Sequence, residues 1–333
     1  MAEKGLNPDG LVFQEGYTET MDQTVIPWLA AHRKDERIPA RDGKSLYVSR
    51  FDADSARGTV LVVHGFTESS EKFLELTHSL LRQGWSVVSY DQRGHGRSWR
   101  DERITDGSLT HIDHFETYVQ DLETVCEKML RKMPKLWMIF CHSMGGAVTS
   151  LFLEKHPDVF EKAVFCAPMI ACSRGGLPLF VGKTLCRCAK ALGQGRKRIF
   201  MSKPFAGPED FATACASGRE RFDWYDAMRV RTPALQNNGP SYSWTLEALK
   251  VTDRILAPGE VEKIRIPVVV YGAEDDSQVL PEQQILFADR LPNGKRKVVP
   301  GSRHEIYRSP DAVLFPWWHE ILNFLETGKL PQS

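Results

Sequence analysis

Short apolar runs rich in β-branched residues recur along the chain and alternate with longer amphipathic stretches. Ser45 to Phe51, Thr59 to His64 and Trp85 to Tyr90 read as strands, and Glu71 to Gln83 reads as a helix between the last two. Phe115 to Lys132 predicts a helix, the run from Trp137 a strand that passes directly into a helix, and Lys162 to Ala167 a further strand. Runs this short and this apolar suit strands buried on both faces, and their alternation with helices predicts a mostly parallel central sheet with helices on both sides. From Pro168 to Gly259 the pattern stops: no clear strand is visible, basic and aromatic residues are frequent, and Gly or Pro punctuates the segment. It resumes with a strand over Ile266 to Tyr271, a Pro281-led helix and a strand over Lys297 to Val299, and continues to Leu325. The expected organisation is an N-terminal extension (1–36), an α/β core in two pieces (37–167 and 260–333), and a mainly helical cap (168–259). An insertion at that point lies over the carboxyl ends of the strands.

Candidate chemistry sits at those strand ends. In WMIFCHSMGGAVTS, Trp137 to Ser150, an apolar strand breaks at Ser143 into a helix that begins with small residues. Such a strand-to-helix turn presents the serine hydroxyl at the top of a sheet and turns the amide of the next residue, Met144, toward an oxyanion. The usual Gly two residues before the serine is replaced by Cys141, which is small enough to fit. A serine between small residues can also be a plain helix cap; three further segments argue against that reading. TVLVVHGF, Thr59 to Phe66, is a buried strand delivering a loop in which the Phe66 amide is a second oxyanion donor. His304, in VVPGSRHEIY, follows a strand and a Gly-containing turn. The acidic triplet Glu274, Asp275 and Asp276 follows the strand Ile266 to Tyr271 and offers the carboxylate that orients an imidazole. The chain order serine, acid, histidine is that of α/β-hydrolases. His64, His95, His111, His114 and His142 are read as turn, cap or elbow residues.

Composition adds exclusions. Lys plus Arg and Asp plus Glu both total 43, so no general attraction to nucleic acid is expected. The polar start of the chain resembles no signal peptide, no run reaches the ~18 apolar residues of a membrane span, and seven scattered cysteines suit free thiols. A cytoplasmic protein is expected. Cys186 and Cys188 lack partners at zinc spacing, so no metal site is expected, and hydrolysis by a serine, acid and histidine implies no organic cofactor. The Gly-rich turn DQRGHGRS, Asp91 to Ser98, lacks the spacing of a phosphate cradle.

With these residues in place, the sequence resembles the serine-hydrolase branch that holds monoacylglycerol lipases and bacterial lysophospholipases. HGFTES resembles its HGxxEH oxyanion loop, DQRGHGRS its DxRGxGxS turn, and CHSMGG its GHSMGG elbow. In the cap, GRERFDWY followed by NNGPSYSW resembles the L-two type of bacterial lysophospholipase. The likeness runs through nearly the whole chain after about Arg37. It implies hydrolysis of a single-chain lipid ester, most of all a lysophospholipid, by Ser143 and His304, with the acid falling on Asp276. Asp275, three residues after Gly272, is the alternative acid. Monoacylglycerol is the alternative substrate, and a non-catalytic receptor on the same scaffold is the alternative of another class. A peptidase is disfavoured, because the nearby cap holds no carboxylate for a substrate amine, and epoxide hydrolysis is disfavoured by Ser143 standing where those relatives carry Asp.

Charge is segregated onto the cap. From Arg174 to Lys203 the chain carries eight basic residues and no acidic one. Within this segment Val181, Leu185, Cys188, Ala189 and Leu192 recur at helical spacing, with Lys183, Arg187 and Lys190 largely off that stripe. A helix of this kind lies on a membrane interface or packs its stripe on the core. The first reading predicts peripheral contact with an anionic surface, at the inner face of the membrane, through Arg196, Lys197 and Arg198.

Overall fold

The computed structural model describes residues 4–173 and 175–331; Arg174, one of the eight basic cap residues, lies outside them. Eight strands form one sheet: β1 (Arg33–Pro39), β2 (Ser45–Phe51), β3 (Gly58–Val63), β4 (Trp85–Tyr90), β5 (Trp137–His142), β6 (Lys162–Cys166), β7 (Val268–Asp275) and β8 (Gly294–Arg303). Their order is β1-β2-β4-β3-β5-β6-β7-β8. The β1–β2 and β2–β4 pairings are antiparallel and all the others parallel, the mostly parallel sheet the pattern predicts.

The central strands are apolar on both faces because both faces are covered. Along β3, Leu61 and Val63 enter one core and Val60 and Val62 the other; along β5, Ile139 and Cys141 oppose Met138 and Phe140 in the same way. The first core is shared with helices α4 (Glu116–Lys128), α5 (Met144–Lys155) and α9 (Pro281–Arg290), the second with α3 (Leu74–Arg82) and α10 (Asp311–Thr327).

The first residues do more than extend the core. Helices α1 (Tyr17–Thr20) and α2 (Ile26–His32) flank a π-helical turn, and Leu11, Val12, Tyr17, Met21, Val25 and Leu29 are buried in the second core beside Trp317 and Trp318. Gln14 and Asp311 exchange hydrogen bonds of 2.9 and 2.8 Å. β1 also runs across position 36, the boundary expected from the sequence, to pair with β2 along its length.

Residues 168–259 contribute helices α6 (Leu179–Ala191), α7 (Arg219–Arg231) and α8 (Tyr242–Ile255). α6 packs on α8. α7 turns toward the N-terminal segment, where Arg221, 1% exposed, donates to Glu75, Asp311 and the Val12 carbonyl.

Candidate active site

β5 carries the chain to His142, and the next residue, Ser143, adopts φ 50° and ψ −119° before α5 begins at Met144. A non-Gly residue in that region costs of order 1–3 kcal/mol and persists only where its surroundings enforce it. Enforcement comes from close packing of α5 on the sheet. A Cβ on Gly145 would stand 2.3 Å from the Val63 carbonyl oxygen, and one on Gly146 2.5 Å from Pro168 Cβ. Cys141 fits beneath the turn without exposure, its thiol directed at the Val164 carbonyl at 3.5 Å.

The structure brings Ser143, His304 and Asp276 into one hydrogen-bonded line. His304 Nε2 lies 2.9 Å from Ser143 Oγ, and His304 Nδ1 lies 2.8 Å from Asp276 Oδ2. Asp276 Oδ1 accepts the amides of Gln278 and Val279 at 2.9 and 3.2 Å, which fixes the carboxylate. Burial opposes the Asp276 charge, but His304 and the two amides outweigh it and hold the carboxyl below its ordinary pKa. Asp275, the other acid considered, is exposed at the end of β7, opposite Arg303. Glu274 turns to the Gly301 amide at 2.8 Å. The line is chemically able to deprotonate Ser143 and return the proton.

The two expected oxyanion donors flank this serine. Met144 is the first residue of α5, and amides of a helix's first turn have no acceptor within the helix. Phe66 stands in the loop after β3, its ring 4.0 Å from that of Trp244. Trp244, from the GPSYSW run of the cap, donates its indole N–H to Tyr118 at 3.2 Å and so braces the Phe66 loop from above. Its partnership with Phe66 spans 178 positions and has no periodic signature in the sequence. Glu68 and His142 also lie against the site, 2.9 Å apart, and the sequence marks His142 only as the residue before the serine.

A cavity of about 480 Å³ opens at the line. Its walls are mainly apolar: Phe66 and Met169 from the core, Leu185 from α6, Trp244 and Leu249 from α8, and Phe200 from the connecting turn. Cys172, Cys186 and Cys215 also face it, and among the described residues no disulfide joins any cysteine.

Of the basic cap residues, Arg187, Lys197 and Lys203 are exposed as expected, whereas Arg196 and Arg198 are engaged within the protein. Arg196 reaches Asp101 at 2.9 Å and Asp113 at 3.1 Å; Arg198 reaches Asp106 at 2.6 Å and bonds the Asn238 carbonyl. Lys183 pairs with Asp253 at 2.6 Å. Three aspartates in the loop before α4, far from the cap in sequence, neutralise Arg196 and Arg198, and of Arg196, Lys197 and Arg198 only Lys197 is exposed. The apolar stripe does face outward. Val181, Leu185, Cys188 and Leu192 are exposed, while Cys186 is turned inward. Among the described residues, no helix is long and apolar enough to cross a membrane.

The family described as serine aminopeptidase, S33, matches residues 54–311. Lysophospholipase L2 of Escherichia coli K12 is 28% identical over 301 residues, 85% of each chain. Monoacylglycerol lipase of Mycolicibacterium smegmatis is 23% identical over 78% of this chain and 85% of its own. Among solved structures, a soluble variant of monoglyceride lipase from Saccharomyces cerevisiae aligns with a TM-score of 0.67 at 20% identity, covering 89% of this chain and 97% of that one, a likeness of fold.

Proposed function

The chain belongs to the serine aminopeptidase, S33, family of α/β-hydrolases, and we propose that it is a serine esterase cleaving the acyl ester of a single-chain lipid, first of all a lysophospholipid. The observation that carries this reading is the hydrogen-bonded line Ser143, His304, Asp276 on the wall of an apolar cavity. Ser143 Oγ attacks the acyl carbonyl while His304 takes its proton, and Asp276 holds the imidazole tautomer and stabilises the imidazolium. The Phe66 and Met144 amides receive the oxyanion, each contributing about 3 kcal/mol if they act as such donors do elsewhere. His304 then passes the proton to the leaving alcohol, and water, activated by the same ring, releases the fatty acid.

The likeness to lysophospholipase L2 supports the lysophospholipid. Monoacylglycerol is the second reading, favoured by one feature: among the described residues, the cavity lining includes no Lys or Arg, so a phosphate finds no cation inside it. A headgroup phosphate then sits outside the mouth. Aminopeptidase activity is disfavoured, because the acids of that lining are engaged, Glu68 by His142 and Lys72, and Glu305 by Lys72 and Arg308.

The same reading puts α6 on a lipid surface. Phe180, Leu192 and Phe200 are 72, 76 and 69% exposed, Phe200 on the cavity wall, Phe180 on α6 and Leu192 at its C-terminal end, and exposed apolar side chains of this kind insert at an interface. With Arg196 and Arg198 paired internally, the charge offered to an anionic surface is that of the exposed Arg187, Lys197 and Lys203. The deciding experiment is a panel of lysophospholipids and monoacylglycerols assayed with wild type and Ser143→Ala. Release of fatty acid by wild type alone is expected. Equal release by the variant, or none by either protein, overturns the reading.

A further inference from the structure

Two imidazoles meet the turn that holds Ser143, and the hydrolysis above uses one of them. The other, His142, is the last residue of β5 and is 1% exposed. Its Nδ1 lies 2.9 Å from Glu68 Oε2, and its Nε2 lies 3.2 Å from the main-chain carbonyl oxygen of His304. A carbonyl has no hydrogen to give. Glu68, for its part, is surrounded by donors: the Gly65 amide at 2.5 Å and His142 on Oε2, the Tyr307 hydroxyl at 2.5 Å and the Lys72 ammonium at 3.1 Å on Oε1. Four donors on the four lone-pair sites are the complement of an ionised carboxylate. A neutral imidazole between these two acceptors donates through one nitrogen and sets a lone pair against the other acceptor, in a site closed to water. His142 satisfies both only as an imidazolium.

The charges around it agree. His64 and Glu68 approach from the loop after β3, Lys72 from the turn before α3, Cys166 from β6, and His304, Glu305, Tyr307 and Arg308 from the segment after β8. Lys72 and Arg308 both pair with Glu305, at 2.5 and 2.6 Å. Burial disfavours the charged form of His142, yet the Glu68 carboxylate outweighs it and raises the pKa. The Glu68 carboxyl is held well below its ordinary value against its own burial, chiefly by His142 and Lys72.

The pair touches three parts of the site at once. Through the Gly65 amide, Glu68 fixes the loop whose next residue is Phe66. Through the His304 carbonyl, His142 fixes the main chain of the general base, and it is itself bonded to Ser143. Only Gly fits at position 65, where a Cβ would lie 2.8 Å from Glu68 Oε2, 2.9 Å from Ser143 Cβ and 3.0 Å from His142 Nδ1. We propose that Glu68 and His142 are positioning residues of this site, a buried carboxylate–imidazolium pair that fastens the oxyanion loop and the His304 loop to the nucleophile's own strand. The inference rests on the esterase reading only in its choice of lipid assay.

Two measurements test it. In the ¹⁵N-labelled wild-type protein, both ring nitrogens of His142 are expected to remain protonated at a pH above the ordinary histidine value of about 6.5, where an exposed histidine has lost its charge. A neutral ring there overturns the inference, and this result needs no variant to fold. Glu68→Gln keeps the shape and removes the charge. It is expected to lower kcat for a lipid ester about a hundredfold, with KM unchanged within about twofold, the order attached to a misplacement of reacting groups by about 1 Å. The rate of fluorophosphonate labelling at Ser143 should fall in parallel. Labelling requires the serine and its base but no lipid, so it separates the two readings. A wild type that is labelled yet hydrolyses no lipid ester overturns the substrate, whereas equal labelling rates in wild type and Glu68→Gln overturn the positioning role.

Discussion

Asp275 and Asp276 are neighbours with the same chemistry, and the pleat of β7 with the turn after it decides between them. Asp276 has a side chain 2% exposed and three donors, while Asp275 lies in solvent. Asp276→Asn is therefore expected to lower kcat by up to ~10⁴-fold, the scale on which a triad imidazole suffers without its anion, and Asp275→Asn to change it little; steady-state kinetics of the two variants check this. Glu154 on α5 makes a different prediction. Its Oε1 is buried without a hydrogen-bond partner, and burial, then the charge of Glu260, push its pKa from 4.5 up to about 8. A carboxyl whose folded pKa is raised contributes stability that is complete below about 4.5 and is lost as the pH rises through about 8. Glu154→Gln is expected to stabilise the protein on the order of 1 kcal/mol at the alkaline end and to have no comparable effect at the acid end, as read from urea unfolding at the two pH values.

Elements differ in how openly they are written in the sequence. β3, β5 and β7 are legible because sheet neighbours and two helical layers leave their central residues no polar face, so each carries a short apolar run. β1, reading RKDERIP, is an edge strand whose side chains mostly meet water, and its charges conceal it. α1 and α2, of four and seven residues, are too short for a helical period to declare itself. Ser143 and His304 are legible because the local turn chemistry that presents them is itself a pattern. Glu68 and His142, 74 positions apart, are joined only by the folded chain. In α6 the apolar stripe is visible in sequence, but its direction is not, since the inward contacts come from Cys186 and the partner helix α8. That direction yields a prediction: Phe180→Ser with Leu192→Ser, both outside the cavity wall, is expected to reduce co-sedimentation with phospholipid vesicles while leaving hydrolysis of a soluble short-chain ester unchanged. Arg196→Gln with Arg198→Gln should instead cost some thermal stability, because it takes the paired arginine from part-buried Asp106 and one from Asp101, which keeps Arg103.

At the scale of the whole molecule, the N-terminal segment, α3, α7 and α10 converge on Arg221. Its guanidinium spans Glu75 and Asp311 and reaches the Val12 carbonyl from a site closed to solvent. Arg221→Met preserves volume but leaves Glu75 and its Tyr17 partner without their cation, which is expected to destabilise the fold by about 3–5 kcal/mol, seen as a lower Tm with the secondary structure retained. The mutual bonds of Gln14 and Asp311 join positions 297 apart. During synthesis at about 5–20 residues per second, Phe13 and Gln14 wait tens of seconds for Phe315 and Asp311 to leave the ribosome. This seam between distant parts of the chain is thus among the last of the fold to close, and until then Phe13 stays open to the surroundings in a newly made molecule.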